Sequence, residues 1–348
     1  MHRPIVGALA LLSALAAPAL ASAHEVYVLP TATTKQALLA PAFSEWQVIF
    51  QNLDQFMLWG FIAALVIFVV FFVSVSRKLE RLLDPLLAKL PPYAPLIGRV
   101  TIGLSFLAAA YYQALFGPEL PLASTFGLYS SFVTSLLVGI GLMFIIGFYV
   151  RIAALAALAL LGVEIAAHGT YMLTYANYLG ELILTLILGA HVLAFHAKED
   201  DERTAPKWFL RLKRKLAPYS FFILRVAFGI SLLYASLYAK IIHNNLALSV
   251  ATAYPAVVHF FGFEPHFLVL GAGIIEILIA TFFILGIEIR FTALFLLFWL
   301  SLSLWYFGEV VWPHLILIGL PISFFFYGYD AYTLEGRFFK KGGREPVL

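Results

Sequence analysis

Apolar residues along this chain fill whole segments, and the polar positions fall between the segments. Runs free of strong charge extend from Met57 to Ser76, Ile97 to Phe116, Phe126 to Gly147, Ile152 to His168, Tyr178 to His196, Phe221 to Ile242, Phe267 to Gly286, Phe291 to Phe307 and Val310 to Tyr329. Most approach the ~20 residues an α-helix needs to cross a hydrocarbon layer about 30 Å thick. Backbone groups in lipid must be satisfied within the segment, and barrel strands would be about ten residues long with alternating polarity. The pattern therefore predicts an all-α polytopic integral membrane protein of about nine transmembrane helices. A further apolar stretch, Ile5 to Leu20, follows His2 and Arg3 and ends on Ala21-Ser22-Ala23, with small residues where a signal peptidase reads. Residues 1–23 are expected to be a signal peptide, so that the mature chain starts at His24.

Basic residues orient the spans, because cytoplasmic loops retain them. With the mature N-terminus outside, Arg77, Lys78, Arg81, Lys89, Arg99, Arg151, the dense set from Lys198 to Arg225, Arg290 and the tail from Arg337 to Arg344 all fall inside, whereas only Lys35 and Lys240 fall outside. This places the chain in the inner (cytoplasmic) membrane, with its C-terminus in the cytoplasm and the lipid bilayer as its first partner. Composition agrees: of 348 residues 62% are hydrophobic and 12% charged, against about 45–50% and 25% in soluble domains. The net charge of +3, with its basic residues on one side, gives no support for nucleic-acid binding. Without cysteine there are no disulfides, thiolate nucleophiles or cysteine-ligated clusters.

One unit occurs twice. Residues 92–112, PYAPLIGRVTIGLSFLAAAYY, align with 218–238, PYSFFILRVAFGISLLYASLY, and the stretch from Gly147 to Arg151 aligns with that from Gly286 to Arg290. The two anchors are offset by 126 and 139 positions, so the second unit is 13 residues longer between them, within the outer segment from His243 to Phe267. An even number of helices per unit makes the repeats parallel. The organisation is then a signal peptide (1–23), an extracytoplasmic segment (24–55), an extra helix (56–76), repeat 1 (92–196), a basic linker (197–217), repeat 2 (218–332) and a cytoplasmic tail (333–348).

Repeat 2 carries Arg225 and Gly229, then Gly271-Ala-Gly-Ile-Ile-Glu276, Leu285-Gly-Ile-Glu-Ile-Arg290, Gly308-Glu309 and Gly328-Tyr-Asp330. This layout resembles the DoxX family of four-helix membrane proteins, including DoxD-type subunits associated with thiosulfate:quinone oxidoreductase. Repeat 1 keeps the arginines but has Leu137 or its neighbours in place of the glutamate. The resemblance implies a membrane subunit working beside redox proteins, with quinone as the cofactor.

An ionised side chain in mid-bilayer costs at least ~2.5 kcal/mol, so each should face a partner, a cavity or a proton route. Glu276 is the sharpest case, and it reads either as a proton-exchanging carboxyl or as an acid bonded to a neighbouring helix. Glu309 and His314 flank Trp312 at the outer start of the last helix and could accept protons from a quinol. Trp312 also suits an interfacial anchor, and Arg225 suits either ring binding or packing. His24, His168, His243, His259 and His266 also gather on the outer side, with Glu164 one helical turn before His168 and Glu181 at the same level. Such a set would suit copper, zinc or iron, though no established metal motif is present. The 33 Phe and 17 Tyr serve packing or a quinone slot. A quinone-linked accessory subunit of a membrane redox complex is the reading preferred from sequence. An outer-face metal-ion binding or transport protein and a non-catalytic membrane scaffold are its rivals.

Overall fold

Glycine and proline decide where the apolar runs become helices. The computed structural model describes residues 29, 31–53, 56–190, 193–195, 206–307 and 312–339. The signal peptide, His24, Glu309 and the basic residues from Lys198 to Arg203 lie outside them. An N-terminal group consists of α1 (Thr31–Leu39), α2 (Glu45–Asn52) and the long α3 (Phe56–Leu87). Then follow α4 (Ala94–Tyr112), α5 (Leu122–Phe126), α6 (Ser130–Ile146), α7 (Val150–His168) and α8 (Ala176–Leu188). The basic α9 (Lys207–Leu216) leads to α10 (Ser220–Leu237), which ends in a π-helical turn, Tyr238–Ile242. The chain closes with α11 (Asn245–Ala253), α12 (Pro255–Phe261), α13 (Pro265–Leu285), α14 (Ile289–Phe307) and α15 (Leu315–Tyr327). Among the described residues the only extended pairing is one isolated bridge, Ala114 to Pro121.

Among the described residues seven helical segments are long and apolar enough to cross a membrane, as a multi-pass protein requires. α8 and α15 are shorter, with 13 residues each, about 20 Å at 1.5 Å per residue. Both stop at a positive-φ glycine, Gly189 at 74° and Gly328 at 80°, so α8 ends at Leu188 and α15 at Tyr327. α3 does the opposite and runs past Ser76, because Leu79, Leu82, Leu83 and Leu86 keep a helical spacing to its end.

Lipid tails are as apolar as leucine, so contact between these helices depends on close packing at small residues. α4 crosses α6 at Gly103 and Gly141, where a Cβ on Gly141 would lie 2.8 Å from the Gly103 carbonyl oxygen. Gly141→Val should force the pair apart and cost about 1–3 kcal/mol, read as a lower denaturation midpoint in detergent. α10 crosses α13 in the same manner at Gly229, whose added Cβ would meet the Ala280 carbonyl oxygen at 3.0 Å. The fourth helices are exchanged: α8 lies chiefly along α10, and α15 chiefly along α4.

Four buried arginines sit at one end of this assembly, and Arg151, Arg225 and Arg290 close helix C-termini, whose last carbonyls lack partners within the helix. Arg151 Nε donates to the Leu186 carbonyl at 3.1 Å and Arg290 Nε to that of Phe325 at 3.0 Å. Arg99 Nη2 donates to Leu193 O at 3.0 Å. Arg225 donates to the carbonyls of Phe283, Ile284 and Tyr332, the last two at 2.8 and 2.9 Å. Beside Arg99 and Arg225 the chain turns at Gly147 (φ 76°) and Gly286 (φ 73°), where a Cβ would stand 2.5 Å from Arg99 Nη1 and 2.8 Å from Arg225 Nη1. The residues from 333 onward, read from sequence as a tail, are in part anchored here: Glu335 is buried, and its Oε2 accepts from Ile289 N at 3.1 Å.

The longer outer segment of the second half has a definite task. Asn244, fully buried, accepts from Phe43 N at 3.1 Å and donates to Phe43 O and Glu45 Oε1, both at 2.8 Å. Asn245 adds a bond to Pro41 O at 2.8 Å. The insertion thus supplies the seat on which the N-terminal segment docks.

Candidate functional site

The π-helical turn at the end of α10 inserts one extra residue per turn and swings Lys240 toward α13. Such turns recur at functional positions. Lys240 Nζ stands 2.9 Å from Glu276 Oε2, and the two side chains are only 7% and 19% exposed. The carboxyl expected to need a partner therefore has one, and the partner is a cation on the neighbouring helix. Lys240 reads in the sequence as an outer topology marker; the structure buries it. Its signal was its place at the end of an apolar run, one helical turn beyond Ser236, which faces Gly273 O on α13.

Lys240 and Glu276 line a cleft with about 120 Å³ of space for the centres of water molecules, well above the ~10–15 Å³ that a single water requires. Its walls come from both halves of the chain. Tyr171, Thr174, Tyr175, Asn177 and Tyr178 arrive from the turn before α8 and its first residues, Ser231 and Tyr238 from α10, Trp299 and Ser303 from α14, and Pro313 and His314 from the start of α15. Glu276 and His314, each read from sequence as a proton-handling group, thus border one space; Glu309, which the sequence reading paired with His314, lies outside the described residues. The tyrosines reach further: Tyr171 and Tyr175 both donate to Glu119 Oε1, the former at 2.9 Å. Glu119 was not singled out from sequence, because a lone carboxylate in a short Gly-Pro-Glu loop carries no motif.

Two residues expected to bind a cofactor are placed elsewhere. The guanidinium of Arg225 is committed to backbone carbonyls at the opposite end of α10. Trp312 is 1% exposed, and its ring stacks on Tyr112 at 5.4 Å and 12°, so it packs between α15 and α4 and is no interfacial anchor. By the repeat register Tyr112 corresponds to Tyr238 and Leu137 to Glu276. The place occupied in the second half by tyrosine and a charged pair is, in the first, an aromatic stack beside a fully buried leucine. The halves are alike in frame and different in chemistry.

The histidine set is dispersed. Among the described residues no three His, Cys, Asp or Glu side chains are grouped as a metal would need. Glu164 and His168 do meet, with Oε2 to Nε2 at 3.1 Å and Thr125 donating to the same Oε2 at 3.2 Å. His243 packs on Tyr238 with ring centres 4.6 Å apart, His266 edges onto Phe43 at 4.8 Å, and His259 is exposed. Glu181 is not at their level: it is fully buried beside Gly98, near the arginine end, and accepts from Thr185 at 3.2 Å. The short α8 lies alongside the first turns of α4, and that draws Glu181 away from the outer face.

Comparison with family models, with curated proteins and with solved structures found no match to this chain.

Proposed function

We propose that this chain is a quinone-linked subunit of a membrane redox complex, built from one added helix and two parallel DoxX-like four-helix units in the cytoplasmic membrane. The mature N-terminus faces outward. The repeat is supported by equivalent devices in both halves, namely paired arginines, paired positive-φ glycines and paired 13-residue fourth helices. The observation that carries the function is the largely desolvated Lys240–Glu276 pair bordering a cleft shared with His314 and four tyrosines.

A quinone ring presents two carbonyl oxygens that accept hydrogen bonds, and the quinol presents two hydroxyls that donate them. A site for both forms needs donors and acceptors within one apolar enclosure. Lys240, Asn177 and the Tyr238 hydroxyl donate; the Glu276 carboxylate and an imidazole nitrogen of His314 accept. In this reading a quinol hydroxyl gives its proton to Glu276 or His314 as its electrons leave to a partner subunit, and the tyrosine–Glu119 contacts offer a way onward to the outer surface.

The test is the quinone that co-purifies with the full chain in mild detergent. Glu276→Gln keeps the shape but removes the charge-assisted acceptor, and should lower quinone per protein roughly tenfold or more, as loss of about 1.5–3 kcal/mol implies. Wild-type protein free of quinone and unable to take it up would end the proposal. Metal lost on replacing His243, His259 or His266 would transfer the assignment to the metal-binding rival, and a retained protein partner without either ligand would transfer it to the scaffold.

A further inference from the structure

The cleft has an apolar neighbour. On α13, Ile275, Leu278 and Phe282 face away from Glu276 and form one wall of a slot whose opposite wall is α3, with Phe61, Phe68 and Phe72. The slot offers about 260 Å³ to the centres of water-sized spheres and presents no polar surface. Ile279 lines both spaces. On α14, Phe295 faces the slot while Leu296 faces the cleft. A polar compartment and an apolar one therefore adjoin at one place on α13 and α14.

α3 is otherwise hard to explain. Only 6% of its membrane-crossing window is buried, and it meets the rest of the protein through spaced rings: Phe61 to Phe267 at 5.8 Å, Phe68 to Phe295 at 5.2 Å and Phe72 to Phe291 at 6.2 Å. A gap between such helices loses dispersion contacts unless an apolar chain fills it. The occupant that fits both compartments together is an amphiphile with a hydrogen-bonding ring and a long apolar tail.

We propose that the slot between α3 and α13–α14 holds the polyprenyl tail of the quinol whose ring lies in the Glu276 cleft, so that α3 acts as a tail clamp. This rests on the quinol reading and adds a second subsite to it. The tail follows α3 through the hydrocarbon layer, and its methyl branches and double bonds lie against the phenylalanine rings.

The experiment measures binding to the purified full chain by quenching of tryptophan fluorescence, Trp299 being in the cleft wall. Three quinones with one common ring are compared: no tail, a ten-carbon alkyl tail and a polyprenyl tail. Wild-type affinity should rise at least tenfold with the tail. Ala64→Phe with Val69→Phe fills the slot and should reduce that gain to within about twofold, with the tail-less quinone bound as in wild type. Glu276→Gln should weaken all three in parallel. Should the double variant fail to fold, the graded series Ala64→Val and Ala64→Leu should reduce the gain in that order. A gain that survives slot filling overturns the tail subsite and leaves the ring site standing. A slot variant that sheds a bound phospholipid by native mass spectrometry while keeping the gain makes the slot a lipid site and overturns it too. Failure of all three quinones to bind wild-type protein ends the ring site, and with it this inference.

Discussion

Lys240→Met should be among the most damaging single changes in this protein, with an expected loss of about 3–5 kcal/mol of stability. Removing one partner of a largely desolvated ion pair leaves the other's charge uncompensated in a site of reduced solvation. Here that charge is Glu276, 2.9 Å from the missing ammonium and mostly shielded from solvent. The effect is read as a lower denaturation midpoint in detergent and lower yield from membranes. The double variant Lys240→Met with Glu276→Gln separates fold from function, because neither side chain then carries charge. It should recover most of the stability while still failing to retain quinone. If the single variant is as stable as wild type, the pair is not what holds α10 to α13 at the cleft.

The second large effect belongs to Arg225. Its guanidinium reaches two carbonyls at the end of α13 and one in the segment after α15, so Arg225→Ala removes three bonds at once and leaves the Phe283 carbonyl with Gly286 N alone at 3.2 Å. At about 1.5–3 kcal/mol for each bond to a charged group, discounted for non-additivity, a loss of about 3–5 kcal/mol is expected. Arg225→Lys should recover only part of it, since an ammonium cannot span three acceptors from one planar fork. Thermal unfolding in detergent with both variants checks this. Equal stability of Arg225→Lys and wild type would mean that charge, and not the shape of the donor, matters there.

The sequence made the membrane class legible because it rests on a feature that survives without packing information, namely long uncharged runs. Glu276 and His314 were visible by the same logic, since a titratable group inside an apolar run is costly wherever it points. Lys240 escaped because a cation at the end of a run also reads as a topology marker, and only the π-helical turn directs it inward. Trp312 escaped for the converse reason: an aromatic residue at a helix start suits the lipid interface, and only the exchange of fourth helices brings Tyr112 beneath it. The histidines were read from sequence as sharing one side of the membrane, and one-dimensional placement says nothing of the lateral distances between separate helix ends.

The crossing of α8 onto α10 and of α15 onto α4 also bears on the order of synthesis. α4 leaves the ribosome well before α15, so the surface of α4 that α15 covers waits, facing lipid or a chaperone, until residues 315–327 have been made. Neither half can reach its final form alone. A chain stopped before residue 312 would keep most of its hydrophobic length and still lack the piece that seals its beginning.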